Sequence, residues 1–444
     1  MPTSTPSNAL ALRFRGPLRA LTAADRTALF DRTTSNDDAV RDQVGAILDA
    51  VRSMGDEALR GLAQELDGVS LDRLEVPRSA WDTALDALDP ALRRALERAI
   101  RNVRDVHDAF RPQAVEYRPE PGIRVGRRPD PLDRVGVYAP GGRAAYPSSL
   151  IMGAVPARVA GVREVIVCSP PGRHTKQPLD VVLAAAKLAD VDRLFALGGA
   201  GAIGAMAYGT ASVPRVERIV GPGNAWVAEA KVQVANTVAI DSPAGPSELL
   251  VLADDAADPD AIARELCAQA EHDPKACVVA VVRSAAFAAR VEEALSRQAV
   301  GQTRAGIVIE ALATAGGVLV AESVEEQLQF ANDYAAEHLQ LQCSDSDLFM
   351  ARLRNAGTVF VGASASVAFG DYMSGANHVL PTGGLARSFS GLSTLDFVRW
   401  TSWQEISSAA AAALAEDVGI FADAEGLPGH AAAARAWASG RGAA

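Results

Sequence analysis

The sequence predicts an α/β chain built from two mostly parallel-sheet bodies of incomplete Rossmann-like type, with a small N-terminal arm and a helical C-terminal tail. Three observations support this. Short β-rich runs alternate with helical stretches from Val135 onward, a second alternating series follows from about residue 250, and 444 residues with 49% hydrophobic content suffice for two sizeable cores.

Taken in order, the opening MPTSTPSN reads as a flexible end that leads into a short arm, residues 1–32. From about 35 to 110 the pattern is helical, with one apolar stripe through Val44, Ile47, Leu48 and Val51 and another through Leu92, Leu96 and Ile100. The first alternating series is VGVY, a helix near 149–160, EVIVC, a helix near 179–189, RLFALGG, a short helix, RIVG, a helix from about 223, and TVAID. The second runs through SELLVLAD, a helix from Pro259 to about His272, ACVVAVV and a helix near 285–297. It continues with GIVIEA, GVLVAES, a helix to about Ala336, HLQLQC and TVFVG. No clean sequence repeat relates the two series. Beyond a Gly-rich stretch near 383–391, the last fifty residues form an Ala-rich tail with too few large apolar residues for its own core, so it must pack on something else. The expected division is an arm over 1–32, one α/β body from 33–137 with 250–392, a second over 138–249, and the tail over 393–444.

A net charge of -11 argues against nucleic acid or an anionic membrane as the main partner, which leaves a small metabolite as the default. Residues 1–10 show no basic run followed by an apolar one, and no apolar stretch is long enough to span a bilayer, so a soluble cytoplasmic protein is expected. The four cysteines, Cys168, Cys267, Cys277 and Cys343, form no C-x-x-C pair and read as packing residues. Cys267 is the best candidate for a thiolate nucleophile, but two positions along a helix from Gln269 it points about 200° away around the axis.

Glycines 199, 201 and 204 spell G-x-G-x-x-G between a strand and a helix. Two βα units precede them, however, and no acidic residue closes the next strand, so tight packing is the expected use. YAPGG at 138–142 and GPGN at 221–224 place free backbone N–H groups at a strand's end or a helix's start, where a ligand's phosphate can sit. Ordinary turn chemistry accounts for each of them equally well.

Gln269 and His272, three residues apart at the end of the helix capped by Asp258, can share a metal ion or simply face water. Glu337 and His338 are adjacent at a helix-to-strand junction, where a turn of the backbone lets neighbours converge. Asp371 and His378 lie in GDYMSGANHVLP after TVFVG, at a strand's carboxyl end, and His430 lies in EGLPGH in the tail.

In this order YAPGGRAAYPSSLIM, GGAGAIGAMAYGT, IVGPGNAWV, IDSPAGPSELLV, CAQAEHDP, NDYAAEHLQL, GDYMSGANHVLPTGG and EGLPGH resemble the histidinol dehydrogenase family from about residue 130 to 435. The resemblance implies a homodimer with one zinc ion per active site, bound through Gln269, His272, Asp371 and His430. It implies Glu337 and His338 as the catalytic pair and Ser148, Ser247, His378 and Glu425 as further substrate contacts. Tyr138, Gly201 and Asn224 take the positions of NAD contacts, with Gly201 standing where the family commonly has glutamine. The body containing 250–392 then carries metal and catalysis, and the body over 138–249 the cofactor. Pro428 and Gly429 before His430 also depart from the family pattern.

The implied reaction is the oxidation of L-histidinol to L-histidine through the aldehyde, with two NAD. Rival readings are a dehydrogenase of another alcohol, such as a sulfonated diol, and a non-catalytic metal-binding relative. Glu425 and His378, which suit an imidazole-bearing substrate, count against the first, and the intact Glu337–His338 pair against the second.

Overall fold

The computed structural model describes residues 10–32, 38–141 and 145–438, so MPTSTPSN and Gly142 of YAPGG lie outside the described residues. Its strands, in chain order, are β1 (Phe14–Pro17), β2 (Val115–Tyr117), β3 (Ile123–Pro131), β4 (Arg134–Tyr138), β5 (Glu164–Ser169), β6 (Arg193–Ala196) and β7 (Arg218–Val220). There follow β8 (Ala239–Ile240), β9 (Glu248–Ala253), β10 (Cys277–Val282), β11 (Gly317–Val320), β12 (His338–Gln342), β13 (Thr358–Val361) and β14 (Val398–Ile406).

Two parallel sheets carry the architecture. One has the order β6-β5-β4-β7-β8 and the other β1-β11-β10-β9-β12-β13. Numbered from the first strand of each alternating series, both run 3-2-1-4-5, and the arm adds β1 beside β11. The expected α/β class is therefore present, and the two series that share no sequence repeat share a topology. In each sheet the strand order reverses beside the central strand, β4 in one and β9 in the other, which opens a crevice there.

The apolar runs form strands because both sheet faces are covered. Along β9, Leu249, Val251 and Ala253 enter one core while Leu250 and Leu252 enter the core on the opposite face, as the period of two requires. GIVIEA, expected as a strand, belongs instead to the helix Ala305–Ala315. Its buried Val308, Ala311 and Leu312 follow helical spacing, which overrides the β-branched composition.

The helices over 38–109 pack differently from the expected division. Val44, Leu48, Val51, Leu96 and Ile100 share one core with Val135, Val165 and Ile219, and with Val379 and Leu392, so the helices of 38–109 pack against the five-stranded sheet. Leu92, in the first turn of its helix, stays exposed. The glycine fingerprint serves this packing. A Cβ on Gly204 would lie 3.0 Å from Leu48 and one on Gly201 3.0 Å from Leu62, so the helix Gly199–Tyr208 meets its neighbours at close range.

A small antiparallel sheet, β14-β3-β2, was not expected from the sequence. β3 alternates too weakly to stand out, with Arg124, Arg127 and Arg128 along its length, and β14 opens a tail read as wholly helical. All nine residues of β14 pair with β3, and Trp403 lies so close over Gly126 that a Cβ there would meet the indole at 2.5 Å. Helix begins at Ser408, where Ser407 caps by accepting from the Ala410 N–H. The helices Ser408–Ala424 and Pro428–Arg435 pack on each other and leave Val418, Ile420, Phe421 and Leu427 exposed. Among the described residues no helix is long and apolar enough to cross a membrane.

Candidate active site

A cleft of about 630 Å³ opens between the two parallel sheets. From the five-stranded sheet come the carboxyl ends of β4 and β7, with Tyr138, Pro140, Pro222 and Asn224. From the six-stranded sheet come amino ends: Ser247 precedes β9, Glu337 precedes β12, and Gln269 and His272 close the helix that leads into β10. The expectation of strand carboxyl ends thus holds for one body and is reversed in the other. Asp371 is corrected with it. The short helix Val367–Tyr372 carries the chain back from the carboxyl end of β13, anchored where the Val367 N–H donates to Glu265 at 3.1 Å, and so brings Asp371 to the amino ends.

The helix Pro259–Ala270 starts at Asp258, whose side chain accepts from the Asp260 N–H, and buries Ile262, Leu266 and Gln269 along one stripe. His272 follows in the turn past its end, its N–H donating to the Gln269 carbonyl at 3.3 Å. Cys267 faces the core with no exposure, and burial pushes its thiol up to about 11. It is therefore a packing thiol.

The helix Val324–Tyr334 stops at Ala335, which adopts the left-handed conformation with φ 50°, and the chain turns through Glu337 into β12. This is the turn that lets neighbours converge. Glu337 Oε2 accepts the Glu248 N–H at 2.7 Å and lies 3.3 Å from His338 Nδ1. Nδ1 donates to the Glu248 carbonyl at 2.9 Å, which leaves Nε2 buried with no hydrogen-bond partner and 3.6 Å from an Asp371 oxygen. Burial works against a charged His338, but Glu337 and Asp371 outweigh it and raise its pKa well above the ordinary value. For Asp371, burial opposes ionisation, yet His338, His378 and His272 hold its carboxyl below the usual range. Burial depresses His378, against the partial offset of Asp371, whose carbonyl meets its Nδ1 at 2.8 Å.

On the opposite wall the Tyr138 hydroxyl accepts the Gly199 N–H at 3.1 Å, and its pKa is raised to about 12 by burial. Asn224 Oδ1 caps the helix Ala225–Val234, accepting from Trp226 and Val227. Gly221 must be glycine: φ is 116°, and a Cβ would meet the Tyr138 carbonyl at 2.2 Å. Its N–H donates to Asp241 and its carbonyl accepts from Lys231, a buried ion pair that fixes the GPGN turn.

Of the residues marked in the sequence, Tyr138, Ser148, Asn224, Ser247, Gln269, His272, Glu337, His338, Asp371 and His378 line this one cleft. Gly201, Glu425 and His430 do not. Gly201 is buried against Leu62, while Glu425 and His430 are exposed on the tail. Gln269, His272 and Asp371 offer nitrogen and oxygen donors suited to a borderline cation such as zinc, and the unpartnered His338 Nε2 marks room for a further group beside them. Among the described residues, however, no three His, Cys, Asp or Glu side chains cluster closely enough to hold a metal. The donors that Gln269, His272 and Asp371 bring to the cleft fit such an ion in their chemistry. Sequence reasoning missed Glu248 and Arg32 behind the pair, and Arg304 at the rim of the cleft. A lone glutamate opening the otherwise apolar β9 was the available signal for Glu248, whereas nothing local marked Arg32.

Two parallel-sheet bodies that enclose a carboxylate–imidazole pair, with polar turns at the strand ends opposite, define an α/β enzyme with its active site between the bodies. The family model described as histidinol dehydrogenase matches residues 30–437. A Halobacterium salinarum protein named histidinol dehydrogenase is 50% identical over 408 residues, covering 92% of this chain and 95% of that relative. One from Methanosarcina mazei is 46% identical, covering 89% and 92%. The crystal structure of histidinol dehydrogenase from Elizabethkingia anophelis superposes with a TM-score of 0.92 at 28% identity, over 97% of this chain and 98% of that one. The chain belongs to the histidinol dehydrogenase family and is an oxidoreductase.

Proposed function

We propose that this chain oxidises L-histidinol to L-histidine through the aldehyde with two NAD, in histidine biosynthesis, as a cytoplasmic zinc-dependent homodimer. The observation that carries the reading is the buried His338 Nε2, which makes no hydrogen bond and stands 3.6 Å from an Asp371 carboxylate oxygen. Family membership and the relatives' shared name support the substrate.

Because Nδ1 is committed as a donor to the Glu248 carbonyl, a neutral His338 keeps the lone pair on Nε2, where it can take the substrate's hydroxyl proton. Zinc, when bound, would fix the amino alcohol through its amine and imidazole and so hold the reacting carbon in place. Gln269, His272 and Asp371 would hold that ion, with His430 of a second copy completing the set. Glu337 exerts the larger pull on the His338 proton and Asp371 the smaller, and the smaller would weaken with Asp371 holding a cation. Tyr138 and Asn224 would hold NAD, which when bound would accept the hydride, one NAD for each of the two oxidations. Glu337 then deprotonates a water that adds to the aldehyde, and His338 takes the proton of the hydrate in the second oxidation. Ser148, Ser247 and His378 contact the substrate from this chain, Glu425 from the other tail.

The deciding assay counts NADH formed per histidinol consumed, with and without chelator. Two per substrate, lost with chelator, supports the reading; no NADH from histidinol overturns it.

A further inference from the structure

Behind the catalytic pair lies a second buried pair that touches neither the cleft nor solvent. The side chains of Arg32 and Glu248 are 3% and 1% exposed, with Arg32 Nη1 3.2 Å from Glu248 Oε2. Arg32 also donates to the Tyr334 carbonyl and stacks on that ring at 3.5 Å. Through Tyr334 it braces the end of the helix that delivers Glu337.

Glu248 meets the catalytic residues three times and Gly383 once. Its N–H donates to Glu337 Oε2 at 2.7 Å and its carbonyl accepts from His338 Nδ1 at 2.9 Å. Its own carboxylate accepts the Glu337 N–H through Oε2 at 3.3 Å and the Gly383 N–H through Oε1 at 2.6 Å. Both oxygens are therefore occupied by backbone donors, and residues 248 and 337 clasp each other reciprocally.

We propose that Arg32 and Glu248 are positioning residues whose buried ion pair sets the aim of Glu337 and the tautomer of His338. An arginine supplied by the N-terminal arm thereby governs chemistry on the six-stranded sheet. The chain of effect is physical: Arg32 fixes the Glu248 carboxylate, the carboxylate fixes the backbone at 248 and 337, and that backbone fixes Glu337 Oε2 and His338 Nδ1. Partial loss of such a buried pair is costly because it leaves an uncompensated charge and misplaced hydrogen-bond partners. Burial raises the Glu248 carboxyl to about 7, with Arg32 the largest influence opposing it, ahead of the Gly383 and Glu337 backbone N–H groups.

The inference rests on the catalytic roles given above to Glu337 and His338. The test uses the full-length enzyme with histidinol and NAD, comparing the native chain with Glu248→Gln, Arg32→Lys and Arg32→Met. Glutamine conserves shape but sets its NH2 against the N–H of either Gly383 or Glu337, so kcat falls at least about tenfold while KM for histidinol and zinc content stay within about threefold. Arg32→Lys keeps the charge but not the planar fork and gives an intermediate kcat, above that of Arg32→Met. A native-like kcat in Glu248→Gln and Arg32→Lys overturns the proposal. So does a joint loss of kcat, substrate binding and metal, which marks a role in folding alone. If Arg32→Met does not fold, the other two variants decide. Glu337→Gln is run alongside: if it is impaired while Glu248→Gln is not, the positioning role fails and the catalytic reading stands. If native enzyme leaves histidinol unoxidised, that reading is what has failed.

Discussion

His338 Nδ1 sits 2.9 Å from the backbone carbonyl of Glu248, so the ring must carry its neutral-state proton on that nitrogen and present Nε2 to the cleft. The arrangement determines how each member of the pair responds to substitution.

His338→Asn is expected to slow both oxidation steps, on the order of 10²-fold or more, since a proton leaves oxygen in each. Single-turnover measurement with histidinol and, separately, with the aldehyde checks this. An effect confined to one step assigns the base elsewhere.

Glu337→Gln is expected to slow the second oxidation far more than the first, by roughly 10²-fold, because only the second requires an activated water. Presenting the aldehyde directly isolates that step. Turnover near the native rate would sink the role.

Cys267→Ala should keep activity within a few-fold, in line with a thiol that is wholly buried and raised to about 11. Loss of a covalent nucleophile would instead cost orders of magnitude. A folded, zinc-loaded but dead variant restores a thiolate mechanism.

His107 predicts an acid sensitivity unrelated to catalysis. Buried in the helix Pro90–Ala109 with neither ring nitrogen hydrogen-bonded, it has its pKa lowered to about 4 by burial. The unfolded chain, near 6.5, binds the proton first, so the stability that neutral His107 permits is full above about pH 6.5 and is lost as pH falls toward 4. By pH 4.5 the loss should be roughly 2 kcal/mol, discounted for residual solvent access. Urea titrations at pH 8 and 4.5 should show His107→Leu losing less than the native chain by about that amount; equal losses reject the assignment.

The tail yields the last prediction. Its two helices pack on each other, expose Phe421 and Leu427, and hold His430 outside the cleft that contains Gln269, His272 and Asp371. An element so placed is suited to completing a neighbour's site. Mixing inactive Asp371→Ala and His430→Ala dimers after reversible dissociation should restore activity, because each mixed dimer then has one site free of lesions. Mixed dimers that form and stay inactive exclude the exchange.

Much of the site could be read from sequence because its chemistry is local. Gln269 ends the buried stripe of its helix with His272 three residues on in the turn beyond, and Glu337 and His338 mark a junction that the structure turns at Ala335. Asp371 was legible as a residue but not in its place, since the helix that returns it to the amino ends is only six residues long. GIVIEA failed because β-branched composition conceals a helical burial pattern, and β3 with β14 because charged, half-exposed strands carry little periodic signal. Arg32 was invisible for a different reason. Its meaning depends on Glu248, more than two hundred positions away, and on a fold that the arm's own residues do not specify.

The arm has one more consequence. β1 is a four-residue strand that ends in Pro17 and lies along β11 at the margin of the six-stranded sheet. A short, proline-ended strand is a poor template for further pairing, whereas β11 without it would offer bare amides and carbonyls to any extended peptide. A chain shortened by its first thirty-two residues would thus be prone to self-association through that bare margin, and recombinant design that treats the arm as dispensable would exchange a capped sheet edge for one that aggregates.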